Sequence, residues 1–224
     1  IATAAAAVVC AADVQAAEQA AEELGRALAR EYAVPDPNLT VTVEAADCRQ
    51  MPMDEASTAR VLCLLTCAPN GVQAMSQDIP GLVQTSLNLG ILKTGETEVC
   101  ATFSVRSSVA TQKEMLHDRL RCLMEQLGGQ LEITGDYPAW EYRRESPLRE
   151  RMVRIFQAQY GHEPKIEAIH AGVECGLLCG KLPDLDCVSV GPDLLEIHTP
   201  REKMSISSVQ RVWDFLKEVL RESK

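Results

Sequence analysis

Apolar residues that recur at helical spacing predict the main helices of the first 137 residues. They recur from about 13 to 32 and again from 112 to 127, with charged residues on the opposite faces. Asp13 is the expected N-cap of the first helix, and Gly128 is expected to end the second. A shorter apolar helix is predicted over residues 55–66, inside a helical insertion at about 50–82.

Apolar residues that alternate with polar ones predict strands in the same region. Residues 2–9, 39–45 and 130–135 are expected to be strands. The stretches VQTSLNLGIL and EVCATFSVRSS flank the polar turn KTGET and predict a β-hairpin. One face of this hairpin is expected to carry its apolar side chains: Leu87, Leu89, Ile91, Val99, Ala101, Phe103 and Val105. Together these strands and helices predict a ferredoxin-like α+β sandwich, a sheet with two helices on a single face.

The stretch DYPAWEYRRESP changes the composition of the chain and predicts a domain boundary, with domains at 1–137 and 138–224. Beyond it, helices and short apolar strands alternate, which is typical of a parallel α/β sheet. The expected elements are a helix at 148–160, a strand at 165–170, a short helix after a Gly-rich turn, a strand at 185–190 and a helix at 206–221. Two such units do not complete a sheet, so the missing strands are expected before Ile1. The overall fold class is therefore α/β.

Net charge and cysteine content limit the choice of partner and compartment. A formal net charge of -10 argues against a nucleic-acid partner, because phosphate contacts need clustered Lys and Arg. The opening stretch IATAAAAVVCAA lacks a basic leader and is too short to span a bilayer, so no membrane partner is expected. The nine cysteines contain no Cys-x-x-Cys pair and are expected to be small buried residues in a reducing cytoplasm. Zinc bound by Cys175 and Cys179 is the alternative, although no second ligand pair follows at zinc-finger distance.

The stretch IHAGVECGLLCG at 169–180 is the first candidate for chemistry. It follows a predicted strand and precedes a helix, which is where open α/β sheets bind ligands. Gly172 and Gly176 would let backbone N–H groups approach a substrate. A tight strand-to-helix turn with Glu174 as a capping carboxylate explains the same residues equally well.

Three other residues are candidates on weaker grounds. His198 follows the last predicted strand and could meet His170 at the rim of the sheet, where two imidazoles could bind a metal. Arg106 ends the hairpin and could hold a substrate carboxylate with its planar fork. Asn70 in APNG could bind a ligand carbonyl. A solvent-exposed loop histidine, an exposed edge arginine and a turn-forming asparagine are the structural alternatives.

Six stretches in the same order and spacing resemble a known family. APNGV, QTSLNLGIL, FSVRSS, YPAW, IHAGVECGLL and VSVGP followed by IHTPREK are similar to the C-terminal half of the bacterial aminoacyl-histidine dipeptidases, of the M20 family of dizinc metallopeptidases. The resemblance covers nearly the whole chain. It implies a ferredoxin-like lid domain that also mediates homodimerisation, followed by the last segment of a zinc-peptidase catalytic domain.

The resemblance also implies roles for individual residues. His198 matches the last zinc ligand, Arg106 the lid arginine that binds the dipeptide carboxylate, and Asn70 a lid residue near the scissile carbonyl. The substrate-contacting loop is matched by four residues: His170, Gly172, Glu174 and Gly176. The implied substrates are Xaa-His and related dipeptides, and the implied cofactor is a pair of zinc ions.

The chain also departs from the family pattern. The other zinc ligands and the glutamate general base precede the lid in the family, so they are expected upstream of Ile1, and no catalytic residue is assigned within the chain. We expect the upstream coding sequence to supply a His-x-Asp motif and a Glu-Glu pair, and the chain alone to be inactive. After His198 the family usually has Ser-Pro and acidic residues, whereas this chain has Thr199-Pro200-Arg201-Glu202. The alternative function is a non-catalytic dimerisation or ligand-sensing module.

Overall fold

A computed structural model describes residues 2–46, 51–168 and 174–223, and these residues form a mixed structure of helices and antiparallel sheets. The predicted α/β class is confirmed. The described residues separate into two compact units, 2–63 and 64–223. The domain boundary predicted between residues 137 and 138 stays a prediction. None of the described helices is both long and apolar enough to cross a lipid bilayer.

The predicted first helix is confirmed as α1, Val14–Glu31. Asp13 is its N-cap, since its carboxylate accepts a hydrogen bond of 3.0 Å from the Ala16 N–H. Tyr32 closes the helix with a 2.9 Å bond to the Leu28 carbonyl. No residue of α1 is buried, so its apolar stripe is only partly covered within the described residues.

The strands predicted at 2–9 and 39–45 are absent, and both predictions are wrong. A strand is stable only when a neighbour completes its backbone hydrogen bonds, and among the described residues neither segment has a strand alongside it. Residues 2–9 are exposed, and their alanines offer little apolar area to bury. Cys10 after them is also exposed, contrary to the expectation that it is buried. Residues 39–45 pack instead against α1, where a Cβ on Gly25 would lie 3.0 Å from the Cβ of Val41.

The predicted short helix is confirmed as α2, Glu55–Cys67, but the rest of the expected helical insertion is wrong. Gly71 has a φ of +80°, a conformation that favours glycine, at the end of the APNG turn. From this residue the chain runs as strand β1, Gly71–Met75, antiparallel to the next strand.

The predicted hairpin is confirmed as β2, Val83–Thr94, and β3, Val99–Ser107, which complete a sheet of order β1-β2-β3. A bulge at Gly90 corrects one detail. Leu89 pairs with Phe103, but Ile91 pairs with Thr102, so the extra residue moves Ile91 to the polar face, where it is exposed. On β3 the alternation holds along the whole strand, and Cys100 lies on its exposed face.

The second predicted helix is confirmed as α3, Ala110–Gln126, and it covers one face of the sheet. Leu116 and Leu120 are buried against Leu87, which forms the first hydrophobic core. Four partly buried residues surround this core: Ala68, Phe103, Val105 and Leu131. Gly128, with a φ of +70°, follows the end of the helix as predicted. This layer is the part of the ferredoxin-like sandwich that the described residues form.

The strand predicted at 130–135 is wrong because this segment lies across a cleft from β3 instead of pairing with it. The cleft has a volume of about 1240 Å³, with α3 contributing to its lining. Lys113 of α3 is buried, and its ammonium donates to the Asp136 carboxylate and, at 2.7 Å, to the Tyr137 carbonyl. The segment is therefore tied to the helix through side-chain contacts, and no ladder joins it to the edge of β3.

A second hydrophobic core lies between α4, Pro147–Tyr160, and α6, Ile206–Arg221, both of which were predicted. Four buried residues form it: Met152, Ile155, Phe215 and Val219. Ser146 and Ser205 are the N-caps of the two helices. Phe156 adds an edge-on ring contact with Phe215, with 5.7 Å between ring centroids.

The predicted short helix is confirmed as α5, Glu174–Lys181, but the strands expected around it are wrong. Residues 165–168 and 185–190 are not strands, and residues 169 and 170 lie outside the described residues. A parallel strand needs at least one neighbouring strand to pair with, and the described residues supply none for these two segments. One small hairpin was not predicted: β4, Leu194–Leu195, pairs with β5, Lys203–Met204.

Asp186 fixes the segment after α5 to the start of α4. Its carboxylate accepts a 2.7 Å bond from the Ser146 hydroxyl and a 2.8 Å bond from the Leu148 N–H. Burial alone would raise the pKa of Asp186, but these hydrogen bonds and the charges of Arg143 and Arg149 outweigh it and hold the pKa below its usual 3.8. The ionised carboxylate therefore acts as a second cap for α4.

Replacing Asp186 with asparagine should lower the free energy of unfolding at neutral pH by about 2 kcal/mol, because charged hydrogen bonds are lost. The folded pKa lies below the unfolded value, so the contribution is complete above the unfolded pKa and is lost as pH falls through the folded one. Urea unfolding at several pH values should show the gap between the two proteins closing below the usual carboxyl pKa of 3.8. Asp184→Asn, an exposed neighbour, is the control; a gap independent of pH would contradict the assignment.

Candidate functional site

His198 lies in the seven-residue loop, 196–202, that joins β4 to β5. Hydrogen bonds within the loop fix its shape. The N–H and hydroxyl of Thr199 donate to the Glu196 carbonyl at 3.2 and 2.8 Å. The His198 N–H donates to the Glu202 carboxylate at 2.9 Å, and Arg201 forms a 2.6 Å ion pair with Glu196. The loop thus holds the His198 backbone in one place and leaves its side chain exposed.

The backbone of this loop is strained at two positions. Glu196 has a φ of 54° and His198 a φ of 65°, and no other non-glycine residue in the described ranges has a positive φ. The left-handed conformation costs a residue with a Cβ roughly 1–2 kcal/mol. Strain of this kind persists where surrounding contacts enforce it, and it concentrates at functional sites. The strain is the structural feature that distinguishes His198 from an ordinary loop histidine.

Arg106 is placed near the end of β3, on the exposed polar face of the sheet. Arg106 pairs with Ser86 of β2. Two residues along the same face, Ser104 of β3 pairs with Asn88 of β2. The strand end is fixed from the opposite face. There the fully buried Thr85 hydroxyl lies 2.8 Å from the Ser107 hydroxyl and also donates to Gln112 at the start of α3.

Asn70 ends the loop before β1 and is joined to the same sheet. Its side-chain oxygen accepts a 2.9 Å hydrogen bond from the Leu89 N–H of β2. This bond continues the β1–β2 ladder one step beyond Gly71 and fixes the start of β1 against the middle of β2. With the oxygen so engaged, the amide nitrogen of the exposed Asn70 side chain is the group that could donate to a ligand.

The substrate-contacting loop is only partly described. His170 and Gly172 lie outside the described residues, whereas Glu174 and Gly176 belong to α5. Glu174 is exposed at the first position of the helix, where a carboxylate complements the helix dipole. Gly176 is buried, and a Cβ there would lie 2.9 Å from the Pro138 carbonyl oxygen. Close packing of α5 on the segment 138–140 therefore explains this glycine.

The structure brings Asn70 and Arg106 together on one sheet, separated by β2, and places His198 on a different hairpin. Neighbouring strands are about 4.8 Å apart, so β1, which begins directly after Asn70, and β3, which carries Arg106, are about 10 Å apart across the sheet. Within residues 2–46, 51–168 and 174–223, no three His, Cys, Asp or Glu side chains are arranged to hold a metal ion. The zinc alternative for Cys175 and Cys179 finds no support in this part of the chain.

Two features of the site were missed from the sequence. The polar face beside Arg106, with Ser86, Asn88 and Ser104, could have been found from the alternation of SLNLG and FSVRS, where every second residue is polar or glycine. The left-handed backbone at His198 has only a weak signal in the sequence, since histidine adopts positive φ more often than most residues but far less readily than glycine.

Comparisons with known proteins identify dipeptidases, in agreement with the resemblance that the sequence motifs indicate. No protein-family model matches the sequence. The chain is 32% identical over 195 residues to the cytosol non-specific dipeptidase of Escherichia coli K12, covering 87% of the chain and 40% of that protein. The chain therefore spans less than half the length of this curated relative.

Two solved structures are also similar. The aminoacylhistidine dipeptidase from Vibrio alginolyticus matches with a TM-score of 0.83 and 32% identity, over 90% of this chain and 41% of that one. The aminopeptidase PepT from Bacillus cereus matches with a TM-score of 0.56 and 15% identity, over 73% of this chain and 44% of that one, which shows a shared fold alone. The resemblance to the aminoacyl-histidine dipeptidases is confirmed.

Gly176→Ala should destabilise the chain by about 1–3 kcal/mol, because the new methyl group would press on backbone atoms of the segment 138–140. Gly191→Ala is the matched control, since a Cβ there meets nothing within 4 Å and its φ is not positive. Thermal unfolding followed by circular dichroism would measure both. Equal stability of the two variants would show that α5 does not pack through Gly176.

Proposed function

We propose that this chain, a homologue of part of the aminoacyl-histidine dipeptidases, supplies the lid domain and the last catalytic segment of a zinc metallo-dipeptidase. The similarity to the Vibrio alginolyticus enzyme over 90% of the chain is the observation that carries this proposal. The lid would be residues 1–137 and the catalytic segment 138–224. In support, the Leu87–Leu116–Leu120 core lies before this boundary and the α4–α6 core lies after it.

The proposed substrates of the whole enzyme are Xaa-His and related dipeptides. Both the curated relative and the Vibrio alginolyticus protein are named as dipeptidases. The curated relative is named as cytosolic, and the proposed location here is likewise the cytoplasm. Homodimerisation through the lid is part of the same proposal, and no nucleic-acid or membrane partner is included, given a net charge of -10.

His198 is proposed as a zinc ligand. An imidazole nitrogen is a ligand that zinc favours. The His198 side chain is exposed to solvent, on a loop whose backbone is held by hydrogen bonds. Zinc in such a site supplies a bound water of lowered pKa and polarises the substrate carbonyl. The hydrogen bond from the His198 N–H to Glu202 fixes the backbone from which the imidazole projects.

Arg106 is proposed to bind the C-terminal carboxylate of the dipeptide. A guanidinium offers two parallel N–H donors that match the two oxygens of a carboxylate. The position of Arg106 on the exposed face of β3 lets a substrate approach it from solvent. Ser86 and Ser104 on the same face add hydroxyl groups that could bind the same carboxylate.

Asn70 and the α5 loop are proposed to complete substrate binding. The amide nitrogen of Asn70 would donate to the scissile carbonyl while its oxygen stays bonded to Leu89. His170, Gly172, Glu174 and Gly176 are proposed to form the opposite wall. For Gly176 this role is indirect, because its contact with Pro138 sets how closely α5 packs and hence where Glu174 lies.

His198→Ala and His198→Gly, each made in the intact enzyme, should both lower bound zinc by about one ion per subunit and abolish dipeptide hydrolysis. The glycine variant should unfold with a free energy about 1 kcal/mol higher than the alanine variant, because it relieves the left-handed strain. Zinc would be measured by elemental analysis and stability by urea unfolding. If the more stable glycine variant kept its full zinc content, the ligand role would be refuted without any question of misfolding.

Arg106→Lys and Arg106→Ala should raise KM for dipeptides by roughly tenfold or more, since a charged hydrogen-bonded contact is worth about 1.5–3 kcal/mol. Lysine keeps the charge but loses the planar fork, so it should restore binding only in part.

The decisive control for Arg106 is the substrate. A dipeptide whose C-terminal carboxylate is replaced by an amide should be hydrolysed with the same kcat/KM by the wild-type enzyme and by Arg106→Ala. An equal loss with the acid and the amide would place the role of Arg106 elsewhere. Arg121→Ala, which removes an exposed arginine paired with Asp118 on α3, should leave both substrates unaffected.

A further inference from the structure

The outer edge of β3 is long and regular. Among the described residues β3 is an edge strand, and its nine residues alternate between half-buried and exposed positions without interruption. Proteins normally shorten, bulge or charge such an edge, because its N–H and C=O groups attract other strands. β1, at the opposite edge of the same sheet, has only five residues and two register shifts. β3 has no bulge, lysine or proline, which indicates that a further strand pairs with it.

The cleft described above follows this edge along its whole length. Every residue of β3 lines the cleft, α3 forms its floor, and residues 129–138 form its far wall. Because residues on both faces of β3 line it, the cleft lies beside the strand and not over one face of the sheet.

The size of the cleft matches one extended segment of chain. A strand in a packed sheet takes up about 160 Å³ per residue, given its rise and the spacings between strands and between layers. The volume of about 1240 Å³ therefore corresponds to about eight residues, close to the nine residues of β3. The predicted ferredoxin-like sandwich has the same arrangement, since in it the segments on either side of a helix are separated by one strand.

Contacts with α3 hold the far wall away from β3. Near one end of the wall, the ammonium of the buried Lys113 donates to the Asp136 carboxylate and, at 2.7 Å, to the Tyr137 carbonyl. Near the other end, Leu131 packs against the first hydrophobic core. The far wall is thus attached to the helix at two places, and the cleft beside β3 is part of the folded structure.

The two sides of the cleft differ in polarity. On the side of α3, Leu120 and Met124 line the floor, and the ammonium of Lys113 is already paired. On the other side of the sheet, β3 presents Thr102, Ser104 and Arg106. A strand in the cleft would therefore alternate apolar residues, directed towards α3, with polar ones.

A second copy of this chain does not fit the cleft. In a symmetric dimer the same edge would meet itself, so each β3 would have to pair with the other β3. Residues 129–138 lie in front of that edge in both copies, and the cleft has room for a single strand only. The occupant is therefore one segment that enters the cleft without a sheet attached to it.

We propose that an extended segment of the parent dipeptidase, from the part that precedes this chain, pairs with the outer edge of β3 inside the cleft. This inference rests on the proposed function. The chain spans 40% of the curated relative and 41% of the Vibrio alginolyticus protein, and its resemblance is to the C-terminal half of the family, so the remaining part lies upstream. Main-chain hydrogen bonds to β3 hold the segment, and its alternate apolar residues cover the floor of the cleft.

Hydrogen exchange of the intact enzyme tests the pairing. In an edge strand every second amide points away from the single neighbour and exchanges fast, whereas a strand paired on both sides protects nearly all of its amides. We expect nearly all amides of β3 to exchange slowly, at least about a hundredfold below the rate of an unprotected chain. Mass spectrometry with fragmentation of the peptide that carries residues 99–107 would measure them one by one.

The same sheet provides both controls for this measurement. Residues 85–87 of β2 are paired on both sides and should be protected throughout, whereas about half of the β1 amides should exchange fast. If the amides of β3 alternate between fast and slow as those of β1 do, no strand pairs with this edge and the proposal is wrong.

Photocrosslinking of the intact enzyme identifies the segment. A benzophenone amino acid would replace Thr102, which is exposed in the middle of β3. We expect a link to a residue upstream of Ile1 in a product with the mass of one subunit. The same amino acid in place of Val72, exposed on β1, is the control and should not link to that segment. A product with the mass of two subunits, or a link confined to residues 129–138, would refute the proposed occupant.

Neither measurement reads zinc content or hydrolysis, so the two proposals can fail separately. An open β3 edge in an enzyme that hydrolyses dipeptides would reject only the inserted strand. A protected edge, linked to the upstream segment, in an enzyme without dipeptidase activity would reject only the proposed function.

Discussion

The structure depends on one constraint: every strand among the described residues pairs with the strand that precedes or follows it along the chain. β1 and β2 are joined by seven residues, β2 and β3 by four, and β4 and β5 by seven. Short connections cost little loop-closure entropy, so these pairings form from local sequence. Their registers place the candidate site, since Asn70 is fixed by β2, Arg106 by its pairing with Ser86, and His198 by the hairpin that closes its loop.

The helices could be predicted because their signals are local. Asp13, Ser146 and Ser205 cap the helices that follow them, and Gly128 follows the end of α3. The strands at 39–45, 130–135 and 185–190 could not be judged in the same way, because alternation shows that a segment could be a strand but does not supply its neighbour. Gly90 gives the converse case. The strand was predicted correctly, but the bulge at Gly90 moves Ile91 from the predicted apolar face of the hairpin to its polar face.

The candidate site was predictable to a similar degree. Residue type and motif order identified Arg106, Asn70 and His198, and the similarity to known dipeptidases supports the resemblance on which those assignments rest. The sequence could not show what fixes each residue. The bond from the Leu89 N–H to Asn70, the Thr85 and Ser107 hydroxyls near Arg106, and the bond from His198 to Glu202 are contacts made only after folding.

Helix α5 combines two pairs of residues that interleave along its sequence. Gly176 and Gly180 approach the segment 138–140, while Cys175 and Cys179 lie on another side of the helix, where Cys179 donates to the Leu185 carbonyl, and each pair repeats every four residues. Successive residues of an α-helix are rotated by about 100°, so deleting one residue from its middle would turn the rest of the helix away from both neighbours at once. Among related proteins, the length of α5 should therefore be conserved as strictly as its residue types. Natural variation in this region is expected as substitutions within the helix and as insertions or deletions only in the turn beyond Lys181.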